Sequence, residues 1–243
     1  MLVTMNDVLL PAKKNKYAVG LFNAVNLEMA RGIIEAAEET KSPVIMGTAE
    51  VLFPCGPLEE LSYFLIPMAK KASVPIVIHL DHGLTKEACL KALELGFTSI
   101  MYDCSTDEYD VNVEKVREMA EIAYSYGATI EGELGHVGNA HGAYKLPPKL
   151  DFERIRTIAR TVDVPLVLHG GSGLKDEDFK QAIHEGISKV NIFTDINVAA
   201  VEEEFRRFDS MGKGLTDLIP AAVDGVRKEC IKKMQLFECC NRG

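Results

Sequence analysis

The sequence predicts an α/β fold, a (β/α)8 barrel in which seven of the eight strands can be found. Three observations carry that expectation. Short apolar and β-branched runs alternate with longer amphipathic stretches, which is the rhythm of βα units around a parallel sheet. The runs are almost unbroken in apolar character, as in strands covered on both faces. Polar and ionisable residues also gather at the C-terminal end of one run after another. A barrel brings those ends together on one face, whereas an open sheet would spread them along an edge. A barrel takes ~250 residues. No linker or low-complexity segment divides residues 1–243, so the chain reads as a single domain.

In chain order, strands are expected at YAVGLFN (17–23), PVIMGT (43–48), PIVIHLD (75–81), TSIMYD (98–103), ATIEGEL (128–134), PLVLHG (165–170) and KVNIFT (189–194). LEMARGIIEAAEETK follows Asn26 and KEACLKALELG follows Thr85, both suited to capping a helix N-terminus. NVEKVREMAEIAYSYG closes on Gly127, a natural C-terminal cap. DFERIRTIARTV and DEDFKQAIHEG continue the alternation, and INVAAVEEEFRRF and LIPAAVDGVRKECIKKM form a final helical pair.

Composition narrows the function. There are 27 basic and 36 acidic residues, a formal charge of −9, which disfavours nucleic acid or an anionic membrane as a partner. No stretch approaches the ~20 apolar residues of a membrane span, and the first residues lack a charged-then-apolar leader, so a cytoplasmic protein is expected. Six cysteines show no CxxC pair and read as reduced thiols, with Cys239 and Cys240 expected in a frayed tail.

The chemistry concentrates in IVIHLDHGLT (76–85), where a buried-strand pattern ends in His79, Asp81, His82 and Gly83. Ionisable groups there need a partner, and a metal ion or a reacting substrate would serve. Asn23, Thr48, Asp103, Glu131 with Glu133, His169, and Asn191 with Thr194 fall at the corresponding ends of other runs. His82, His141 and His169 come from separate loops and could form an open three-nitrogen site suited to catalytic zinc, although spacing alone is a weak signal. His136 and His184 read as hydrogen-bonded structural residues. Strand alternation sends His79 to the face opposite His82, with Gly83 supplying the turn that aims His82 inward. HGGSGL (169–174) is either an anion cradle, built from the backbone of Gly170 and Gly171 and the hydroxyl of Ser172, or an ordinary glycine-rich βα turn. A metal beside a phosphate cradle implies a small phosphorylated substrate with a carbonyl or hydroxyl to polarise.

HLDHG, MYDCS, EGELGHVG, AHGAYK, LVLHGGSG and KVNIFTD, in this order, resemble the motifs of class II, metal-dependent ketose-bisphosphate aldolases. The resemblance runs from YAVGLFN to the last helix. It implies a (β/α)8 barrel, a homodimer or homotetramer, and reversible cleavage of a fructose or tagatose 1,6-bisphosphate. The products would be dihydroxyacetone phosphate and glyceraldehyde 3-phosphate. It implies zinc as the cofactor, with a monovalent cation as a second candidate ion. His82, His141 and His169 match the zinc ligands, and Asp81 matches the proton-transferring acid. Glu133 matches a second metal position, and Asp103 and Glu131 match carboxylates behind the ligands. Asn23, Thr48, Gly142, Gly170, Gly171, Ser172, Asn191 and Thr194 match the substrate and phosphate side. No lysine at a strand end is placed for a Schiff base, and GLFNAVN lacks the HxH pair of many metal-dependent barrel hydrolases.

The sequence departs from the family pattern at one place. GELGHVG (132–138) runs directly into NAHGAYK (139–145), where the family carries a mobile loop with an acidic base, a helix and the sixth strand. A βα unit with a long loop amounts to about 35 residues. Either the natural chain carries this segment, or the deletion is genuine. In the second case the protein is an impaired or non-catalytic relative that keeps zinc and phosphosugar binding.

Overall fold

A computed structural model describes residues 1–135, 149–171, 173–210, 212 and 214–243. Among them, seven strands form one curled parallel sheet. They are β1 (Val19–Asn23), β2 (Val44–Ala49), β3 (Ile76–Gly83), β4 (Ser99–Tyr102), β5 (Thr129–Glu131), β6 (Leu166–Leu168) and β7 (Ile187–Ile192). Their spatial order is β5-β4-β3-β2-β1-β7-β6, so each expected run is a strand.

The helices are α1 (Met5–Asn15), α2 (Leu27–Thr40), α3 (Leu58–Lys71), α4 (Lys86–Leu95), α5 (Tyr109–Ser125), α6 (Phe152–Thr161), α7 (Asp176–Glu185), α8 (Thr194–Arg207) and α9 (Leu215–Leu236). Asn26 and Thr85 cap α2 and α4 as expected, their side-chain oxygens accepting from Met29 N–H (2.8 Å) and Ala88 N–H (3.2 Å). The sequence reading missed α1 and α3, each of which contains a proline, Pro11 and Pro67. Both prolines are exposed, and the carbonyls they leave without a helical donor belong to the exposed Asp7 and Tyr63, where water can reach them.

Among the described residues the sheet does not close: β5 pairs only with β4, and β6 only with β7. The position between them is where the family's sixth strand is expected. Burial follows the seam: β1, β2 and β7 are wholly buried, whereas β6 is half-exposed along its length. A groove of about 360 Å³ runs beside the seam between α5 and the residues after β5.

The C-terminus corrects a second expectation. Cys239 is fully buried, and Asn241 and Gly243 N–H donate to Thr40 and Lys41 carbonyls, so this tail is docked rather than frayed. Burial pushes the Cys239 thiol up to about 12, which leaves it unreactive. The chain end is held by α9, which lies along α2 and α8. Gly225 permits the α8 crossing, since a Cβ there would stand 2.3 Å from the Ala199 carbonyl oxygen. No helix of the described residues is long and apolar enough to cross a membrane.

Candidate active site

Parallel strands wound the same way carry the ends of β1, β3, β5 and β7 to one mouth. Asp81, from β3, is buried there between two amides. Its Oδ2 accepts from Asn23 Nδ2 of β1 at 2.8 Å and its Oδ1 from Asn191 Nδ2 of β7 at 2.9 Å. The carboxylate is therefore held from two strands on its far side.

His82 reaches the same mouth by an irregularity. Period-2 alternation puts His79 and Asp81 on the inner face and would turn His82 outward. Instead the β3–β4 register slips between Leu80 and Gly83, and His82 takes a left-handed backbone with φ 44°. Two expectations are corrected here. The turn lies at His82 itself, not at Gly83, and His79 faces the interior as well. Gly83 is needed for close approach, because a Cβ there would stand 2.7 Å from Cys89 Sγ.

His82 and His169 each have a carboxylate behind the ring. His82 Nδ1 donates to Asp103 Oδ2 at 2.7 Å, and His169 Nε2, just beyond β6, donates to Glu131 Oε1 at 2.8 Å. A carboxylate only accepts, so these bonds assign the ring protons. The remaining nitrogens, His82 Nε2 and His169 Nδ1, face each other at 3.1 Å. Two ligands ~2.05 Å from a tetrahedral ion lie roughly 3.3 Å apart, so the residues present fit a divalent cation. Asp81, His82 and His169 offer atoms within 4.8 Å of one another, as do His82, Asp103 and Glu133.

The charges agree. Burial alone would lower the His82 ring, but the Asp103 hydrogen bond and the charges of Asp81, Asp103 and Glu133 hold it above its ordinary value. The His82 hydrogen bond, with help from Ser105, keeps the Asp103 carboxyl well below the usual carboxylate range. Burial would raise Glu131, yet the Lys189 charge and the His169 hydrogen bond outweigh it and hold that group well below its usual value. His79 is different. Burial, followed by the Lys189 charge, pushes it down to about 3, so it stays neutral with Nδ1 at 2.8 Å from Ser99 Oγ.

The other expected residues are less uniformly placed. Thr48 is buried on β2, and its Oγ1 has no partner among the described residues; nor do the Oδ1 atoms of Asn23 and Asn191. Gly170 (φ 69°) and Gly171 follow His169 just beyond β6. Thr194 is exposed as the first residue of α8, outside the hydrogen-bonded group. His184 is exposed on α7 rather than structural. His136, His141, Gly142 and Ser172 lie outside the described residues.

Two residues escaped the sequence reading. Lys189, on β7, is fully buried with Nζ 2.7 Å from Glu131 Oε2. It sits two residues before Asn191 in an otherwise apolar run, and that spacing could have identified it as inward-facing. Glu50, just after β2, accepts from Leu84 N–H (2.7 Å), Thr85 N–H (3.0 Å) and the Thr85 hydroxyl (2.9 Å), pinning the loop that follows His82. No local pattern marks such a contact between two loops.

Comparison with known proteins bears on this arrangement. The family model described as "Fructose-bisphosphate aldolase class-II" matches residues 3–139 and 136–242. The chain belongs to the class II fructose-bisphosphate aldolase family. A fructose-bisphosphate aldolase of Thermus caldophilus is 33% identical over a 310-residue alignment covering 100% of both chains. One of Staphylococcus epidermidis is 34% identical over 290 residues, covering 99% of each. The crystal structure of the YdjI aldolase from Escherichia coli K12 superposes with a TM-score of 0.93 at 32% identity, covering 100% of this chain and 99% of that one.

Class II aldolases are metal-dependent carbon–carbon lyases. The family match breaks into two at residues 136–139, the junction where the sequence departs from the aldolase pattern. The alignment with the Thermus aldolase, 310 residues long against a chain of 243, also includes positions of that protein with no counterpart here.

Proposed function

We propose that the chain is a zinc-dependent aldolase that reversibly cleaves a fructose or tagatose 1,6-bisphosphate to dihydroxyacetone phosphate and glyceraldehyde 3-phosphate. The observation that carries this reading is the pair of facing ring nitrogens, each backed by a carboxylate, with Asp81 pinned beside them. His82 and His169 would hold the ion, with His141 as third ligand and Glu133 at a second position. A monovalent cation is the other candidate ion. When bound, the divalent ion polarises the substrate ketone and stabilises the negative charge left by carbon–carbon cleavage.

The chain's own groups do the rest. Asp81 takes the proton from the C4 hydroxyl in cleavage and returns it in condensation. Asn23 and Asn191 hold its carboxylate for that transfer. The side-chain oxygens of Asn23, Thr48 and Asn191, without a partner among the described residues, are buried acceptors suited to substrate hydroxyls. The backbone of Gly142, Gly170 and Gly171, with Ser172 and Thr194, would receive the phosphate. The Lys189 ammonium is ion-paired and buried, which speaks against Schiff-base chemistry, since that needs a neutral amine. A cytoplasmic homodimer or homotetramer belongs to the same proposal.

The missing segment supports one competing reading: a protein that binds zinc and phosphosugar without turnover. Intact mass and an assay separate the two. A polypeptide heavier than 26.7 kDa that releases dihydroxyacetone phosphate from either bisphosphate, and stops in EDTA, fits the aldolase. A polypeptide of the printed mass that binds but does not turn over fits the alternative. Turnover that resists EDTA would overturn the metal mechanism.

A further inference from the structure

We infer that Lys189 is a positioning residue which, acting through Glu131, determines the nitrogen that His169 offers to the metal. The functional meaning of this role rests on the metal reading above.

The argument starts from a cost. A lysine with no exposed side-chain surface must be paired, and a buried ion pair is seldom more stable than apolar residues of the same volume. Stability alone therefore gives little reason for an ammonium in the barrel interior. What the pair does is divide the Glu131 carboxylate. Oε2 is taken by Lys189 at 2.7 Å, which leaves Oε1 for His169 Nε2 at 2.8 Å. A carboxylate with one oxygen anchored cannot rotate freely, so it holds the ring in one orientation and keeps the proton on Nε2. The lone pair of Nδ1 is then directed toward His82 Nε2 at 3.1 Å, with the Asn191 amide nitrogen 3.3 Å away on the same side.

The same device occurs at the other histidine. Asp103 gives Oδ2 to His82 Nδ1, while its Oδ1 is anchored by Ser105 through N–H (3.1 Å) and hydroxyl (2.7 Å). Two carboxylates from different strands thus each use one oxygen on a ring and the other on an anchor. The anchors differ because their surroundings differ. Asp103 sits at the mouth, where a serine loop is available. Glu131 sits deeper, 3.8 Å from His79 Nε2, where the donor at hand is the fully buried Lys189 ammonium.

The experiment uses Lys189→Met, which keeps the volume and removes the ammonium. Ring ¹⁵N shifts of the metal-free protein report the tautomer of His169. The parent should carry its proton on Nε2, and the variant should show a mixture of tautomers. Competition against a chelator should show Zn²⁺ bound about 10–100-fold more weakly, the usual cost of losing an outer hydrogen bond. In the Glu131→Gln background, Lys189→Met should add little further loss.

A folded Lys189→Met protein with the parental tautomer and Zn²⁺ affinity within about twofold of the parent would overturn the inference, as would full additivity of the two substitutions. If the single variant does not fold, Lys189→Gln is measured in its place: it still donates to Glu131 but carries no charge. A parental tautomer and affinity there would reject a need for the charge, whereas loss of both would support it. Should the parent itself bind no Zn²⁺, the metal reading fails. The tautomer comparison in metal-free protein would still decide the role of Lys189.

Discussion

His82 Nε2 and His169 Nδ1 stand 3.1 Å apart, with Asn191 Nδ2 3.3 Å from the latter, and the opposite nitrogen of each ring is committed to a carboxylate. Two lone pairs at that distance repel unless a proton or a cation lies between them. Replacing His169 by alanine should therefore weaken Zn²⁺ binding by more than the about 10–100-fold that attends loss of an outer hydrogen bond. Metal content after gel filtration measures this, and retention of stoichiometric zinc would contradict the assignment.

Asp81→Asn keeps the shape and both amide neighbours but removes the proton acceptor. The expected result is a fall in kcat of about 10²–10⁴-fold with Zn²⁺ affinity close to the parent. Steady-state cleavage kinetics alongside a metal titration separate the two effects. Equal loss of both would place Asp81 among the ligands instead.

Glu50 satisfies two backbone N–H groups and one hydroxyl directly after Gly83. Its replacement by alanine should cost about 1 kcal/mol, a lowering of Tm by about 2–4 °C for a domain of this size. Thermal unfolding tests this, and an unchanged Tm would mean that water replaces the carboxylate without loss.

Acid stability should depend on the α8–α9 contact. The Arg206 guanidinium first, then Arg207 and Lys228, outweigh burial and hold the Glu203 carboxyl at about 2. A depressed carboxylate stabilises the fold above its unfolded value near 4.5, and that contribution is lost as pH falls toward 2. Glu203→Gln should flatten the fall of Tm across this interval and leave its shape near neutrality unchanged. An identical acid limb would show that the cluster is too well solvated to matter.

The strands were legible because burial on both faces leaves an apolar run that little else produces, as in IVIHL and VNI. The capping residues Asn26 and Thr85 were legible for a local reason, since a side chain three residues from its partner needs no tertiary information. What escaped depended on distant parts of the chain. Pro11 and Pro67 break the local rule for helices, and exposure of the carbonyls they strand is what makes them tolerable. Lys189 reads as a surface residue until Glu131, 58 positions away, is found beside it. Glu50 acts on a loop 34 residues later. The residues proposed to hold the metal were singled out by ordered motifs, and the side on which His82 falls was resolved only by its backbone.

That backbone has a consequence for every experiment at position 82. A single left-handed residue reverses the parity of the strand, so that neighbours 81 and 82 both look into the barrel. A substitution at His82 therefore tests two properties at once: the imidazole, and a conformation that β-branched residues resist. Asparagine, which tolerates φ above zero, removes the ring while sparing the turn; valine removes both. Zinc loss in the first and collapse of the Asp81–Asn191 contact in the second would separate the ligand from the hinge that delivers it.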